Sequence, residues 1–232
     1  MNIVIRVKRQ RSPESAPFWQ DFNYDGSPSD SVAAALRELD ARTSLTDAKG
    51  APAEPIAWDC GCCAGRCGAC AMLVNGRPTL ACKAFLGKSG SVVLEPLSKF
   101  PLVRDLVVDR GVIFETLKKM HLWLSERARE DERLHDLRYQ SAACLMCGCC
   151  LEVCPNFSAG GSFAGAAAAA AAYRLLSQEG DAAHRADEGK AYQRIFYSGC
   201  GTSLACEQIC PAGIPVTELI SRSNAAAVWR RL

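Results

Sequence analysis

The 232-residue sequence has almost no charge imbalance: 27 basic against 25 acidic side chains leave a formal charge of +2. Binding to nucleic acid draws on a surplus of Lys and Arg, so this balance gives no electrostatic reason to expect such a partner. Long hydrophobic runs are missing as well. No stretch approaches the ~18 consecutive strongly apolar residues of a membrane-spanning helix, and the run Ala166 to Ala172 is too short and too weakly hydrophobic to serve as one. Attachment to a membrane would therefore have to come through another subunit. The N-terminus, Met1 to Gln10, alternates apolar and polar residues and lacks the apolar core of a secretory signal, which points to the cytoplasm. A nucleotide-binding glycine loop is absent. The three histidines, His121, His135 and His184, form no catalytic constellation, and each is expected to be an ordinary surface or packing residue.

Cysteine, by contrast, is abundant. Fourteen in a chain of the reducing cytoplasm argue for metal sites over disulfides. They are also clustered: six fall between Cys60 and Cys82, five between Cys144 and Cys154, and three between Cys200 and Cys210.

In the first nest, Cys62, Cys67, Cys70 and Cys82 follow C-x4-C-x2-C with a distant fourth cysteine, the spacing of plant-type 2Fe-2S sites. Gly65 and Gly68 suit a loop whose thiolates converge while main-chain N–H groups point at sulfur, easing burial of negative charge. Cys60 and Cys63 fall outside this register. A zinc knuckle is the rival, but it typically presents two cysteine pairs separated by a longer span.

The second nest is more specific. Cys144, Cys147, Cys150 and Cys154, followed by Pro155, form C-x2-C-x2-C-x3-C-P, the bacterial ferredoxin run, with Cys149 outside the spacing. Positions 200, 203, 206 and 210 repeat these intervals and end again in Cys-Pro, with Ser203 in place of the second cysteine. In two-cluster ferredoxins the last cysteine of each run serves the other cluster. The expectation is a 4Fe-4S cubane on Cys144, Cys147, Cys150 and Cys210, and a second site on Cys154, Cys200 and Cys206. Three thiolates suit a 3Fe-4S cluster, with Ser203 marking the vacant corner. The alternative, a serine alkoxide holding a fourth iron, demands deprotonation of a hydroxyl, which is much harder than that of a thiol.

The two halves differ in texture. Ile3, Ile5 and Val7 alternate, and Phe18, Phe22 and Tyr24 share a face of a second extended run. A helix capped near Ser31 follows, with Val32, Leu36 and Leu39 on one face. Asn75-Gly76 predicts a tight hairpin, and Ser91 to Leu97 a further strand. From Pro96 to Pro101 the pattern changes. Helical spacing is expected from Leu106 through Leu124, a solvated helical face from Ser125 to Arg138, and a buried helix of close-packing alanines from Ala164 to Ala172. The predicted domains are 1–98 and 99–232. At the C-terminus, Trp229 with Arg230 and Arg231 ends a helix packed on its own domain or meets a headgroup layer.

The order of the three spacings, together with C-G-A-C-A-M-L-V-N-G, the linking E-P-L-S-K-F-P-L-V-R-D-L-V-V-D, the C-P-N-F run and the final C-P-A-G-I, closely resembles the iron–sulfur subunits of succinate dehydrogenases and fumarate reductases. The resemblance covers nearly the whole chain. It implies an α+β fold: an N-terminal β-grasp, plant-type 2Fe-2S ferredoxin domain, then an α-helical bacterial-ferredoxin-like domain with 4Fe-4S and 3Fe-4S clusters. It implies an electron relay between the FAD of a flavoprotein catalytic subunit and a quinone held against one or more membrane-anchor subunits, with or without haem, on the cytoplasmic side of the plasma membrane. The quinone would lie near Pro155, Asn156, Phe157 and Gly201. Ubiquinone-reducing members commonly carry a tryptophan-containing segment after the first Cys-Pro and a histidine after the first cysteine of the last run. Ser158-Ala159 and Gly201 stand there instead, which favours menaquinone. Cys63 replaces the usual arginine of the first loop, and Ala166 the usual proline before the alanine helix. The alternative is a similar three-cluster relay in a thiol-linked fumarate reductase or a heterodisulfide-reductase-like enzyme.

Overall fold

The computed structural model describes residues 2–229 and divides after Asp109 into two compact units. In the first, β1 (Asn2–Arg9) buries Ile3, Ile5 and Val7 on one face, as its alternation dictates. It pairs antiparallel with β2 (Phe18–Asp25). A helix, α1 (Val32–Ala41), begins at Ser31, whose hydroxyl accepts the Ala34 N–H, and buries Val32, Leu36 and Leu39. Asn75 and Gly76, with φ of 51° and 75°, close the hairpin between β3 (Ala71–Val74) and β4 (Arg77–Leu80). The next strand, β5 (Ser91–Glu95), completes a sheet ordered β2-β1-β5-β3-β4, in which β1 and β5 run parallel. This mixed sheet with its helix is the expected β-grasp arrangement.

The first unit runs eleven residues past position 98. A hairpin of β6 (Leu102–Arg104) and β7 (Val107–Val108) stands where helical spacing was expected from Leu106. Its turn residue Asp105 explains why. One carboxylate oxygen accepts the Gln10 N–H and the other the Ala57 N–H, each at 3.0 Å. The second oxygen also lies 2.9 Å from the Arg9 guanidinium, with both side chains at most 2 % exposed. Arg9 in turn donates to the carbonyls of Glu54 and Pro55 and to Gln20. Removing one member of a buried ion pair strands the other, a loss of ~3–5 kcal/mol. Asp105→Ala is therefore expected to lower the denaturation midpoint of the chain markedly. Glu130→Ala, which breaks a fully solvated contact with Arg127, should leave it unchanged.

The second unit is helical. After α2 (Gly111–Lys119) the charged segment is not a helical face: it stays irregular through Asp131, then forms a single 3-10 turn and α3 (His135–Ala142). The backbone there is drawn off by other partners. Ser125 donates both N–H and hydroxyl to Glu179, and Arg129 N–H donates to the Gln178 carbonyl. The alanine run becomes α5 (Gly165–Gln178), packed against α8 (Val216–Ala227), α3 and α6 (Ala182–Ile195). Its small side chains permit the close approach, and Tyr192 on α6 donates its hydroxyl to Asn224 on α8 at 2.7 Å. Gly165 adopts φ 71°, a left-handed conformation that suits glycine, and a Cβ there would press on a Leu151 methyl. Trp229, at the end of this unit, is exposed, and Arg230 and Arg231 lie outside the described residues. No helix among the described residues is long and apolar enough to cross a membrane.

Candidate metal centres

The loop before β3 carries the first cysteine set, and its backbone turns inward on the sulfurs. Cys62 Sγ receives the N–H groups of Ala64 at 3.3 Å and Arg66 at 3.2 Å; Cys67 Sγ receives that of Cys62 at 3.4 Å, and Cys82 Sγ that of Gly65 at 3.2 Å. Gly65 and Gly68 reach this geometry with φ of 71° and 74°. The two N–H groups hold the Cys62 thiol down to about 7, whereas burial pushes Cys70 up to about 12. Cys70 and Cys82 approach to 3.5 Å. Helix α1 fixes the far end: the N–H groups of Val32 and Ala33 bind the carbonyls of Ala84 and Ala81, which flank Cys82. Cys60 is pushed up, by burial and then by the neighbouring Cys63.

In the second unit the sequence repeat is also a backbone repeat. Met146 and Thr202 have φ of 50° and 51°, and Gly148 and Leu204 have φ of 88° and 57°. Gly148 and Leu204 each launch a one-turn helix, α4 (Cys149–Glu152) and α7 (Ala205–Gln208). The turn bonds match as well: Cys154 N–H to the Leu151 carbonyl and Cys210 N–H to the Glu207 carbonyl are both 3.2 Å. Ser203 thus sits in the same backbone setting as Cys147, with a hydroxyl in place of a thiol.

The runs exchange their last cysteines. One cavity is lined by Cys144, Cys147, Cys150 and Cys210, walled by Ala167 and Ala170 of α5. A second is lined by Cys154, Cys200, Cys206 and Ser203. Cys206 and Ala166 line both. Cys150 is pushed far up, first by burial and then by the charges of Cys147, Cys144 and Cys210. Cys144 and Cys206 are raised for the same leading reason. Thiols crowded like this cannot ionise together unless cations stand among them; a coordinated metal deprotonates them outright. All-sulfur donor sets, inward-facing N–H groups and small-residue walls fit iron–sulfur clusters.

Residues 4–115 match the model of a 2Fe-2S iron–sulfur cluster binding domain, and residues 140–214 that of a 4Fe-4S dicluster domain. The succinate dehydrogenase iron–sulfur subunit of Bacillus subtilis is 32 % identical over 228 residues, covering 94 % of this chain and 89 % of that one. The chain belongs to the iron–sulfur subunits of the succinate dehydrogenase and fumarate reductase family. The fumarate reductase iron–sulfur subunit of Wolinella succinogenes is 30 % identical, with 94 % of each chain covered. In fold, the chain resembles one from the Sdh1 complex of Mycobacterium smegmatis in its apo form, with a TM-score of 0.76 at 20 % identity over 99 % of this chain and 97 % of that one.

As a subunit of this family the protein transfers electrons and converts no substrate itself. Several features around its sites were not visible in the spacing. The Cys149 thiol donates to Cys147, which holds Cys147 down to about 7 and raises Cys149. Arg110 reaches the Cys147 carbonyl at 3.5 Å. Asn156 ties the two runs by donating to the Gly199 carbonyl at 2.6 Å. Of the residues expected near quinone, Pro155, Asn156 and Gly201 line the second cavity together with Thr202, Leu204 and Phe163. Phe157 does not line it: its ring is buried beside Gly165. His184, expected as a surface or packing residue, packs between Glu179 and Glu188.

Proposed function

We propose that this subunit relays electrons between the FAD of a flavoprotein partner and a membrane quinone through three iron–sulfur clusters. Cys62, Cys67, Cys70 and Cys82 would hold the 2Fe-2S cluster; Cys144, Cys147, Cys150 and Cys210 the 4Fe-4S; and Cys154, Cys200 and Cys206 the 3Fe-4S. When bound, the clusters supply reversible one-electron transfer. The observation that carries the reading is the common wall of the two cavities in the second unit, Cys206 and Ala166, which supports two centres close enough to exchange electrons directly. The residues themselves bind, orient and tune: N–H groups at Cys62, Cys67 and Cys82 and the Cys149 thiol at Cys147 stabilise negative sulfur.

The relay would dock peripherally on the cytoplasmic face of the membrane through one or more anchor subunits. The Pro155–Asn156 and Gly201–Thr202 edges of the second cavity would lie toward the quinone. The absence of tryptophan in Asn156 to Ala159, and of histidine at Gly201, supports menaquinone and operation as a fumarate reductase. Mild-detergent extraction is expected to co-purify a flavoprotein and at least one membrane polypeptide, and the complex should turn over faster with a naphthoquinone than with a benzoquinone. A stable, active monomer would overturn the assignment of partners, and a preference for the benzoquinone that of the quinone.

A further inference from the structure

Glu179, His184 and Glu188 are brought together by α6 and the end of α5, in a group that contains no cysteine. His184 and Glu188, four residues apart, share a face of α6, and Glu179 is the residue that ends α5. The three side chains offer donor atoms within 4.8 Å of one another. His184 Nε2 is 3.0 Å from Glu188 Oε1, 3.8 Å from Glu179 Oε2 and 3.0 Å from the main-chain carbonyl of Trp123. Donors around a tetrahedral ion with ligand distances of about 2.1 Å stand roughly 3.4 Å apart, which these separations straddle.

Two observations point to a cation at this place. Glu188 is 1 % exposed; its Oε1 meets only His184 Nε2, at 3.0 Å, and its Oε2 has no hydrogen-bond partner among the described residues. A buried carboxylate in that condition is costly unless a positive charge meets its lone pairs. Glu179 is held in a matching orientation. Ser125 N–H binds its Oε2 at 2.8 Å, while the Ser125 hydroxyl and Asp181 N–H bind Oε1 at 2.9 and 2.8 Å. These bonds occupy both lone pairs of Oε1 and leave one on Oε2, the oxygen that faces His184.

We propose that Glu179, His184, Glu188 and the Trp123 carbonyl form a site for a divalent transition-metal ion of the zinc class. Two carboxylates with a neutral imidazole balance a dication. One nitrogen with three oxygens is too few donors for calcium, which takes six to eight oxygens, and lacks the thiolates that a soft ion prefers. Binding joins the end of α5, the first turns of α6 and the segment around Trp123 to Ser125.

The test uses the full chain carrying its iron–sulfur clusters, equilibrated anaerobically with one equivalent of zinc and then desalted. Metal analysis should find one zinc retained per chain. Zinc K-edge absorption should show only nitrogen and oxygen neighbours at about 2.0–2.2 Å, without the sulfur shell near 2.3 Å that cysteine binding gives. His184→Gln and Glu188→Gln should each abolish retention at unchanged iron content. Zinc lost on desalting, a sulfur shell, or retention undiminished in both variants would overturn the proposal. If neither variant accumulates, the wild-type absorption spectrum alone decides.

Discussion

Cys210→Ala is expected to remove the four-iron site built on the other cysteine run, not the site nearest to it in sequence. Cys210 lines the cavity of Cys144, Cys147 and Cys150, whereas Cys200 and Cys206 share theirs with Cys154. Loss of that thiolate leaves three ligands for a cubane and strips one corner or the whole cluster, so iron content should fall by about one to four atoms per chain. The three-iron resonance of the oxidised protein should survive, and so should the visible circular dichroism of the two-iron site, which belongs to a different unit. Cys154→Ala should do the reverse, abolishing the three-iron resonance and sparing the cubane. If Cys210→Ala erased the three-iron signal and left the cubane intact, each run would hold its own cluster and the crossed assignment would be wrong.

Ser203→Cys is expected to convert the three-iron site into a second cubane. The flanking backbone already matches the first run, with Thr202 paired to Met146 and Leu204 to Gly148 in left-handed conformation, so a thiol at 203 stands where Cys147 stands in its own loop. A thiolate is far easier to form than an alkoxide and far softer toward iron. Iron should rise by about one atom per chain and the three-iron resonance should vanish. Cluster type and charge set potential, and a low-potential cubane would make a poorer last acceptor before quinone. Quinone-linked turnover should collapse while flavin-linked reduction of artificial dyes persists. A variant that keeps the three-iron resonance at full intensity would show that position 203 does not border the vacant corner.

Local features were legible in the sequence because they depend on local chemistry. The Asn75-Gly76 turn, the Ser31 cap and the cysteine intervals each need only a few neighbouring residues to be read. What stayed hidden depends on residues far apart. Leu106 to Asp109 has apolar spacing compatible with a helix, and the hairpin is selected by residues far away in sequence, Arg9, Gln10 and Ala57, which all bind the Asp105 carboxylate. Likewise the segment from Ser125 carries helix-forming charges, but Glu179 and Gln178 claim its backbone donors. The parallel pairing of β1 with β5 leaves no mark in either strand. His184 and Glu188 do show an i, i+4 spacing, yet the Trp123 carbonyl and Glu179 that complete the group are positioned by tertiary packing alone. Cys149 lies outside the ferredoxin spacing, and its hydrogen bond to Cys147 became apparent only once the loop was folded.

The relay itself is tested most directly by electron paramagnetic resonance on the anaerobically isolated complex, poised in turn with a quinol and with fumarate. The account predicts a three-iron resonance in the oxidised complex that quinol removes and fumarate restores, through a path that depends on the flavoprotein partner. An iron-replete complex without that resonance, or one whose resonance ignores both reagents, would contradict it.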